Sequence, residues 1–300
     1  MSMVMRSRSR GIAFIVVVWV LALLAVLLVG FSVIARTEAL QARHLAESTR
    51  ARYMAEVGIS RAIWELRNPD PMTRWASDGR AYDFEFEGAK INVGVQDESG
   101  KIDINAVDGP VFQRFLVAQG VDEQFAQQIA DAMLDWRDAD DLTQPMGAED
   151  VDYEREGYPY GAADNGFQTV GELQQVMGMD YELFRRLEPD LTIWGGSAIP
   201  SAGSASAAVL MSFPGMNPQM AEQLIAMRSQ IPPGDPAGAA LTLPDGTPLL
   251  TSGGGVTYTV RSKATLPNGA WTQVDATIRL GGAAGARAYT ILQWREGSAG

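Results

Sequence analysis

The sequence contains no cysteine and a single histidine, His44, in 300 residues. Without thiols the fold cannot be stapled by disulfides and must rest on packing or on a metal bound through oxygen. The same absences remove zinc ligation and most acid–base and nucleophile constellations. The glycine run Gly253-Gly254-Gly255 lacks the lysine and the following helix of a phosphate-binding loop. Paired carboxylates could serve a glycosidase, but Trp136 is the only tryptophan beside the acidic cluster. The chain therefore reads as a non-enzyme. Positive charge is also short: 24 Lys and Arg stand against 36 Asp and Glu, a net charge of −12, and no lysine occurs between Lys101 and Lys263. Such a surface repels nucleic-acid phosphate and attracts divalent cations.

Charge is missing altogether from Ile12 to Ile34. At about 1.5 Å per residue that stretch forms a helix of roughly 35 Å, enough to cross a bilayer core of about 30 Å. Arg6, Arg8 and Arg10 precede it and predict an N-terminus held in the cytoplasm, with the remainder outside. No small-residue cleavage site interrupts the run, so it is longer and less divided than an ordinary secretory signal; a plain signal anchor is one reading. Gly11 stands directly before the run, where a protease on the cytoplasmic side could cut and leave Ile12 as the first residue of an intact helix. Helical spacing continues through Leu40, Leu45, Met54, Val57, Ile63 and Leu66 until Asn68-Pro69-Asp70-Pro71 stops it.

Short alternating runs follow. Tyr82–Phe86 and Ile91–Val95 flank Glu87-Gly88-Ala89-Lys90 and predict a hairpin; Asp97 to Asn105 reads as a turn and a third strand. Strand character returns only at Val256, with a hairpin around Pro267-Asn268-Gly269 and a last strand at Ala288–Trp294. The expected fold class is α+β: an N-terminal transmembrane helix spine on a small antiparallel sheet, with a large inserted α-helical domain. Its parts are a leader (1–11), the membrane portion of the helix (12–34), a first part of the sheet domain (35–105), the insertion (106–230), a Gly/Pro-rich linker (231–255) and a second part of the sheet domain (256–300). Within the insertion a pattern recurs at Gly120, Gly178 and Gly215: glycine, an apolar residue, Asp or Asn able to cap, then helix formers. These units resemble helix-hairpin-helix elements, which raises a membrane-anchored DNA receptor as an alternative. The acidic residues that follow two of the glycines, Asp122, Glu123, Asp180 and Glu182, oppose it.

The densest charge lies between Asp131 and Glu156. Asp131, Asp135, Asp138, Asp140, Asp141, Glu149, Asp150, Asp152, Glu154 and Glu156 face only Arg137 and Arg155. Carboxylates so close together repel unless they are solvated or neutralised by an oxygen-seeking cation. Asp138, Asp140 and Glu149 match the first, third and twelfth positions of an EF-hand loop, but Leu142 and Thr143 occupy positions where that loop needs an oxygen donor and a glycine. An irregular calcium loop fits better than magnesium, which keeps its waters.

Two sets of residues carry a resemblance. The basic leader, Gly11 and the run "IAFIVVVWVLALLAVLLVGF" resemble the class III leader of type IV pilins and type II secretion pseudopilins, cut after glycine by a prepilin peptidase. "LDWRDADD", "GAEDVDY", "DESGKIDIN" and "FQTVGELQQVMGM" are together similar to the K-type minor pseudopilin family of type II secretion, well over 11–194 and loosely beyond. Val16 stands at the fifth mature position, where most pilin-like subunits carry glutamate, and within the resemblance this marks the subunit at the fibre tip. The resemblance implies processing at Gly11 and Ile12 with methylation, an inner-membrane anchor, and a periplasmic head. It also implies calcium in the acidic region, and assembly with I- and J-type minor pseudopilins and other pseudopilus subunits. Asp138, Asp140, Asp141, Glu149, Asp150 and Asp152 are the candidate calcium ligands. A minor type IV pilus subunit is the alternative within the class.

Overall fold

The computed structural model describes residues 10–232, 241–249, 255–281 and 288–298. The expected leader ahead of Arg10, and residues 233–240 and 250–254 of the expected linker, lie outside the described residues.

Helix α1 (Arg10–Leu66) runs 57 residues without a break, about 85 Å at 1.5 Å per residue. No proline occurs before Pro69, so nothing interrupts its hydrogen bonds. It closes in a tightened last turn, Arg67 N to Trp64 O and Asn68 N to Glu65 O. The apolar first half is exposed on every side and is long and apolar enough to cross a membrane, with a mean hydropathy of 3.1 over an 18-residue stretch. The second half buries one face only, formed by Ala51, Met54, Ala55, Ile59, Ala62, Ile63 and Leu66.

Among the described residues seven strands follow. They are β1 (Asp78–Phe86), β2 (Ala89–Asp97), β3 (Ile102–Asp103), β4 (Leu191–Thr192), β5 (Thr257–Thr265), β6 (Trp271–Leu280) and β7 (Tyr289–Ser298). The buried face of α1 packs on an antiparallel sheet of order β1-β2-β5-β6-β7. Alternation selects the inward side chains: Ala89, Ile91, Val93 and Val95 from β2, and Val260, Ala264, Val274, Ala276 and Ile278 from β5 and β6. Gly58 lets the helix approach the sheet closely; a Cβ there would overlap the Ser262 hydroxyl and stand 2.9 Å from the Val93 Cγ2. The β1–β2 turn places Glu87 at φ 47° and Gly88 at φ 78°, a two-residue turn whose twist matches the strands.

The stretch read as a turn and a third strand forms both, but its strand lies outside this sheet. The Asp97 carboxylate accepts from Ser99 N at 2.9 Å and turns the chain out through a 3-10 turn, Glu98–Gly100. The two residues of β3 then pair in parallel with β4, away from the main sheet.

Between β2 and β5 the chain builds a helical body. Its helices are α2 (Gly109–Ala118), α3 (Glu123–Arg137), α4 (Asp150–Arg155), α5 (Tyr181–Leu187), α6 (Ala207–Leu210) and α7 (Pro218–Gln230). It has its own core, with Phe112, Phe115, Met133, Trp136, Tyr153, Leu187 and Leu210 buried together. The recurring glycine pattern is realised three times. Gly120, Gly178 and Gly215 take φ of 86°, 87° and 75°, and Asp122, Asp180 and Asn217 then cap α3, α5 and α7 with side-chain oxygens. Residues 241–249 fold back on themselves and bury Leu243 and Leu249 in this same core.

Among the described residues the two bodies meet at several places, one of them Gln96 of β2, whose Nε2 donates to Ser204 O at 2.7 Å. Asp97 pairs with Tyr258 where the chain leaves and rejoins the sheet, and Gly255 N donates to the Asp97 carboxylate at 2.8 Å. Arg80 of β1 donates to the carbonyls of Arg228 and Ser229 at the end of α7, each at 3.1 Å. Arg295 of β7 lies 3.6 Å from Glu188, across a cleft of about 630 Å³.

Candidate functional site

The acidic region forms at the end of α3, in the loop that follows it, and at the start of α4. Asp131 and Asp135 lie one helical turn apart, and Asp138 is the residue that ends α3. The loop returns over them because their carboxylates bind its backbone. Asp131 accepts from Met146 N at 3.1 Å, and Asp135 accepts from Gln144 N with both oxygens at 3.0 and 3.2 Å. Gly147 is required for this return, since a Cβ there would overlap the Asp135 carboxylate.

The six expected ligands separate into two sets. Glu149 is buried, with 6% of its surface exposed, and its Oε1 meets no donor; Oδ1 of Asp138 is likewise buried and unpartnered. Burial first, then the charges of Asp135, Asp138, Asp164 and Asp141, push the Glu149 carboxyl up to about 7. Burial and the Asp140 charge raise Asp138 as well. Asp141 is exposed but near enough for its charge to act on Glu149.

The remaining three have local occupations. Asp140 accepts from Leu142 N at 2.9 Å. Asp152 accepts from Glu149 N at 3.2 Å, fixing the start of α4, and pairs with Arg155. Asp150 is turned against Gly161, where a Cβ would overlap its Oδ1.

Two acidic residues outside that set belong to the same neighbourhood. Asp135 is fully buried and pushed up to about 6, by burial first, against the lowering effect of its backbone hydrogen bonds. Its signal in the sequence is its place on the buried face of α3, between Ala132, Met133 and Trp136. Asp164 sits beyond the acidic run, at φ 50°, and only its charge on Asp138 and Glu149 reveals it.

Neither nearby arginine neutralises the buried pair. Arg137 turns the other way and donates to the carbonyls of Ile104 and Val107, both at 2.7 Å. Arg155 is held by Asp152, and no ion pair reaches Asp138 or Glu149 among the described residues. Against the carboxylates stands an aromatic cluster in which the Trp136 ring lies 5.8 Å from Tyr153, 6.1 Å from Tyr160 and 6.3 Å from Phe167.

Among the described residues, no three His, Asp or Glu side chains converge closely enough to hold a metal ion as they stand. The chemistry of the donors nevertheless fits a hard divalent cation: two buried carboxylate oxygens without partners, crowded by three further carboxylates and in no ion pair. Asp138 and Glu149 would hold such an ion and Asp141 could reach it. The ion would supply charge neutralisation and cross-link the end of α3 to the start of α4.

The other candidate feature is the N-terminus. Gly11 and Ile12 fall inside α1, and Val16 is exposed at 54% on the apolar segment.

The described residues thus form a membrane-length helix laid on an antiparallel sheet, with a helical body inserted between two neighbouring strands. Comparison with known proteins specifies it further. The family profile for type II secretion system protein K matches residues 89–196, which run from β2 through the acidic loop to just past β4. Type II secretion system protein K of Pseudomonas aeruginosa is 26% identical over 255 residues, covering 75% of this chain and 74% of that protein. Its counterpart in Pectobacterium carotovorum subsp. carotovorum is 29% identical over 212 residues, covering 62% and 63%. The crystal structure of the GspK-GspI-GspJ complex from enterotoxigenic Escherichia coli contains a chain of the same fold. Its TM-score is 0.55 at 18% identity, over 86% of this chain and 100% of that one. Over most of its length, then, the chain is similar to type II secretion system protein K.

Proposed function

We propose that this chain is the tip subunit of a type II secretion pseudopilus, anchored in the bacterial inner membrane by α1 with its head in the periplasm, and that it helps initiate pseudopilus assembly for protein export across the outer membrane. The observation that carries the reading is α1 itself: one unbroken helix whose first half is exposed on all sides and whose second half is buried on one face only. The exposed surface is what neighbouring spines would cover. The partners are I- and J-type minor pseudopilins, as in the complex of similar fold. Val16 in place of a carboxylate leaves no charge in lipid that needs a neighbour's amine, which suits a first position in the fibre. The helical body beside the sheet obstructs stacking of a further subunit above it.

In this reading a prepilin peptidase cuts after Gly11 and Ile12 becomes the methylated first residue. Calcium cross-links the acidic region through Asp138 and Glu149, with Asp141 close by. Asp140, Asp150 and Asp152 would join only by giving up the local contacts they now hold. The chain is not an enzyme and has no nucleic-acid partner.

The test is expression with a prepilin peptidase and with I- and J-type subunits, followed by intact mass, N-terminal sequence and co-purification from membranes. Cleavage after Gly11 and recovery of a ternary complex support the reading. An uncut chain that purifies alone overturns it.

A further inference from the structure

Two Asn–Gly dipeptides occur in the chain, Asn165–Gly166 and Asn268–Gly269, and the fold treats them in opposite ways. In such a pair the glycine nitrogen can reach the carbonyl carbon of the asparagine side chain, because no Cβ stands in the way.

At Asn268–Gly269 the groups are held apart. Gly269 N donates to Leu266 O at 2.9 Å, and the Asn268 Oδ1 accepts from Ala270 N at 3.1 Å. Each reacting group is engaged by a different residue within a closed hairpin turn.

At Asn165–Gly166 they are held together. Gly166 N donates to the side-chain Oδ1 of its own neighbour Asn165 at 2.9 Å, one bond from the carbon it would attack. The surroundings fix this contact. Phe167 is pinned by Asn105, which accepts from Phe167 N at 2.7 Å and donates to Phe167 O at 2.9 Å. Gln168 Nε2 holds the Gly166 carbonyl at 2.9 Å. Upstream, Asp164 is in the left-handed region at φ 50°. Asn165 itself is exposed, so water reaches it.

We infer that Asn165–Gly166 is a self-modifying site, at which the folded chain deamidates and adds one carboxylate to the acidic loop. Gly166 N loses its proton to solvent base and attacks Cγ of Asn165. The N–Cγ bond forms, the bond from Cγ to the amide nitrogen breaks, and ammonia leaves. Water then opens the five-membered imide at either carbonyl, giving aspartate or isoaspartate. One water is consumed and one ammonia released, with no change of oxidation state. The new charge lies beside Asp164, whose own charge already acts on Asp138 and Glu149.

The experiment is peptide mapping by mass spectrometry of the full chain, extracted in detergent and aged at mildly alkaline pH, with fragmentation that separates isoaspartate from aspartate. Asn165 should convert about tenfold or more faster than Asn268, a modest part of what alignment of reacting atoms can provide. In urea, where the contacts are gone, the two sites should converge. Asn105→Ala, which frees Phe167, should slow Asn165 in the folded chain without touching Asn268. Equal conversion of the two sites in the folded chain, or a ratio that unfolding leaves unchanged, overturns the assignment.

Discussion

Arg228 of α7 and Asp78 of β1 lie 3.6 Å apart at the seam between the helical body and the sheet, both almost wholly buried. Arg80 completes the cluster, pairing with Asp78 at 2.8 Å while donating to the carbonyls of Arg228 and Ser229. Asp78→Asn leaves Arg228 buried without a counter-charge, and breaking a buried pair in this way costs roughly 3–5 kcal/mol. Thermal unfolding of the head should show that loss near neutral pH; an unchanged midpoint would mean that the seam does not hold the two bodies together.

The same cluster sets an acid dependence. Burial alone would raise the Asp78 carboxyl, but its hydrogen bond from Arg80, with the charges of Arg80 and Arg228, holds it below its ordinary 3.8. A carboxyl lowered by folding contributes stability that is fully present above its unfolded value and is lost as pH falls through the folded one. The gap between wild type and Asp78→Asn should therefore be constant from neutral pH down to about 4 and close below it. A gap that widens in acid would contradict the pairing.

Calcium should raise the unfolding midpoint of the head. At a hundredfold excess over its dissociation constant the gain is about 2.7 kcal/mol, and chelation should reverse it. Asp138→Asn and Glu149→Gln should abolish the response, whereas Asp152→Ala should retain it while losing the α4 cap and the Arg155 pair, about 1 kcal/mol. Terbium in place of calcium should luminesce through Trp136, which lies within the same cluster. Scans indistinguishable with and without calcium would remove the metal proposal.

Without metal, Glu149→Gln should raise stability near neutral pH. The Glu149 carboxyl is raised on folding, so its ionised form opposes the fold as pH rises above the unfolded value. Chemical denaturation in chelator at slightly alkaline pH measures this directly. A loss of stability comparable to that of a core substitution would show instead that the ionised form is held by donors.

Gly58→Ala should weaken the contact of helix and sheet. Alanine favours a helix over glycine by about 1 kcal/mol, but here its methyl would overlap the Ser262 hydroxyl and crowd Val93. Overpacking of that kind costs about 1–3 kcal/mol. A net stabilisation in denaturant titration would mean that the sheet yields more easily than its packing indicates.

What the sequence made legible follows from the range of each signal. The spine was readable because apolar spacing, the missing proline and the stop at Pro69 are all local. The hairpins at Gly88 and Gly269 were equally local. Nothing local foretold that β2 would pair with β5, or that Ile102–Asp103 would leave the sheet, since Asp97 makes that turn through a side-chain bond to Ser99. At the acidic loop, composition drew attention to Asp138 and Glu149, but it could not tell them from Asp152, whose charge is spent on capping and on Arg155. Asp135 escaped because a carboxylate on a buried helical face looks, in one dimension, like any other charge in an acidic run.

Asp97 stands opposite Tyr258 in the sheet, so the helical body begins and ends at one point. A mass attached at a single pivot transmits torque only as far as its other attachments allow, and among the described residues those include Arg80 with Arg228, Gln96 with Ser204, and Arg295 with Glu188. Forces applied to the outer body would therefore reach the spine as a twist about Asp97, resisted by a buried latch on one flank and an exposed one on the other. The protein is built less like a cap glued to a rod than like a door, with its hinge at the strand crossing and bolts of unequal strength beside it.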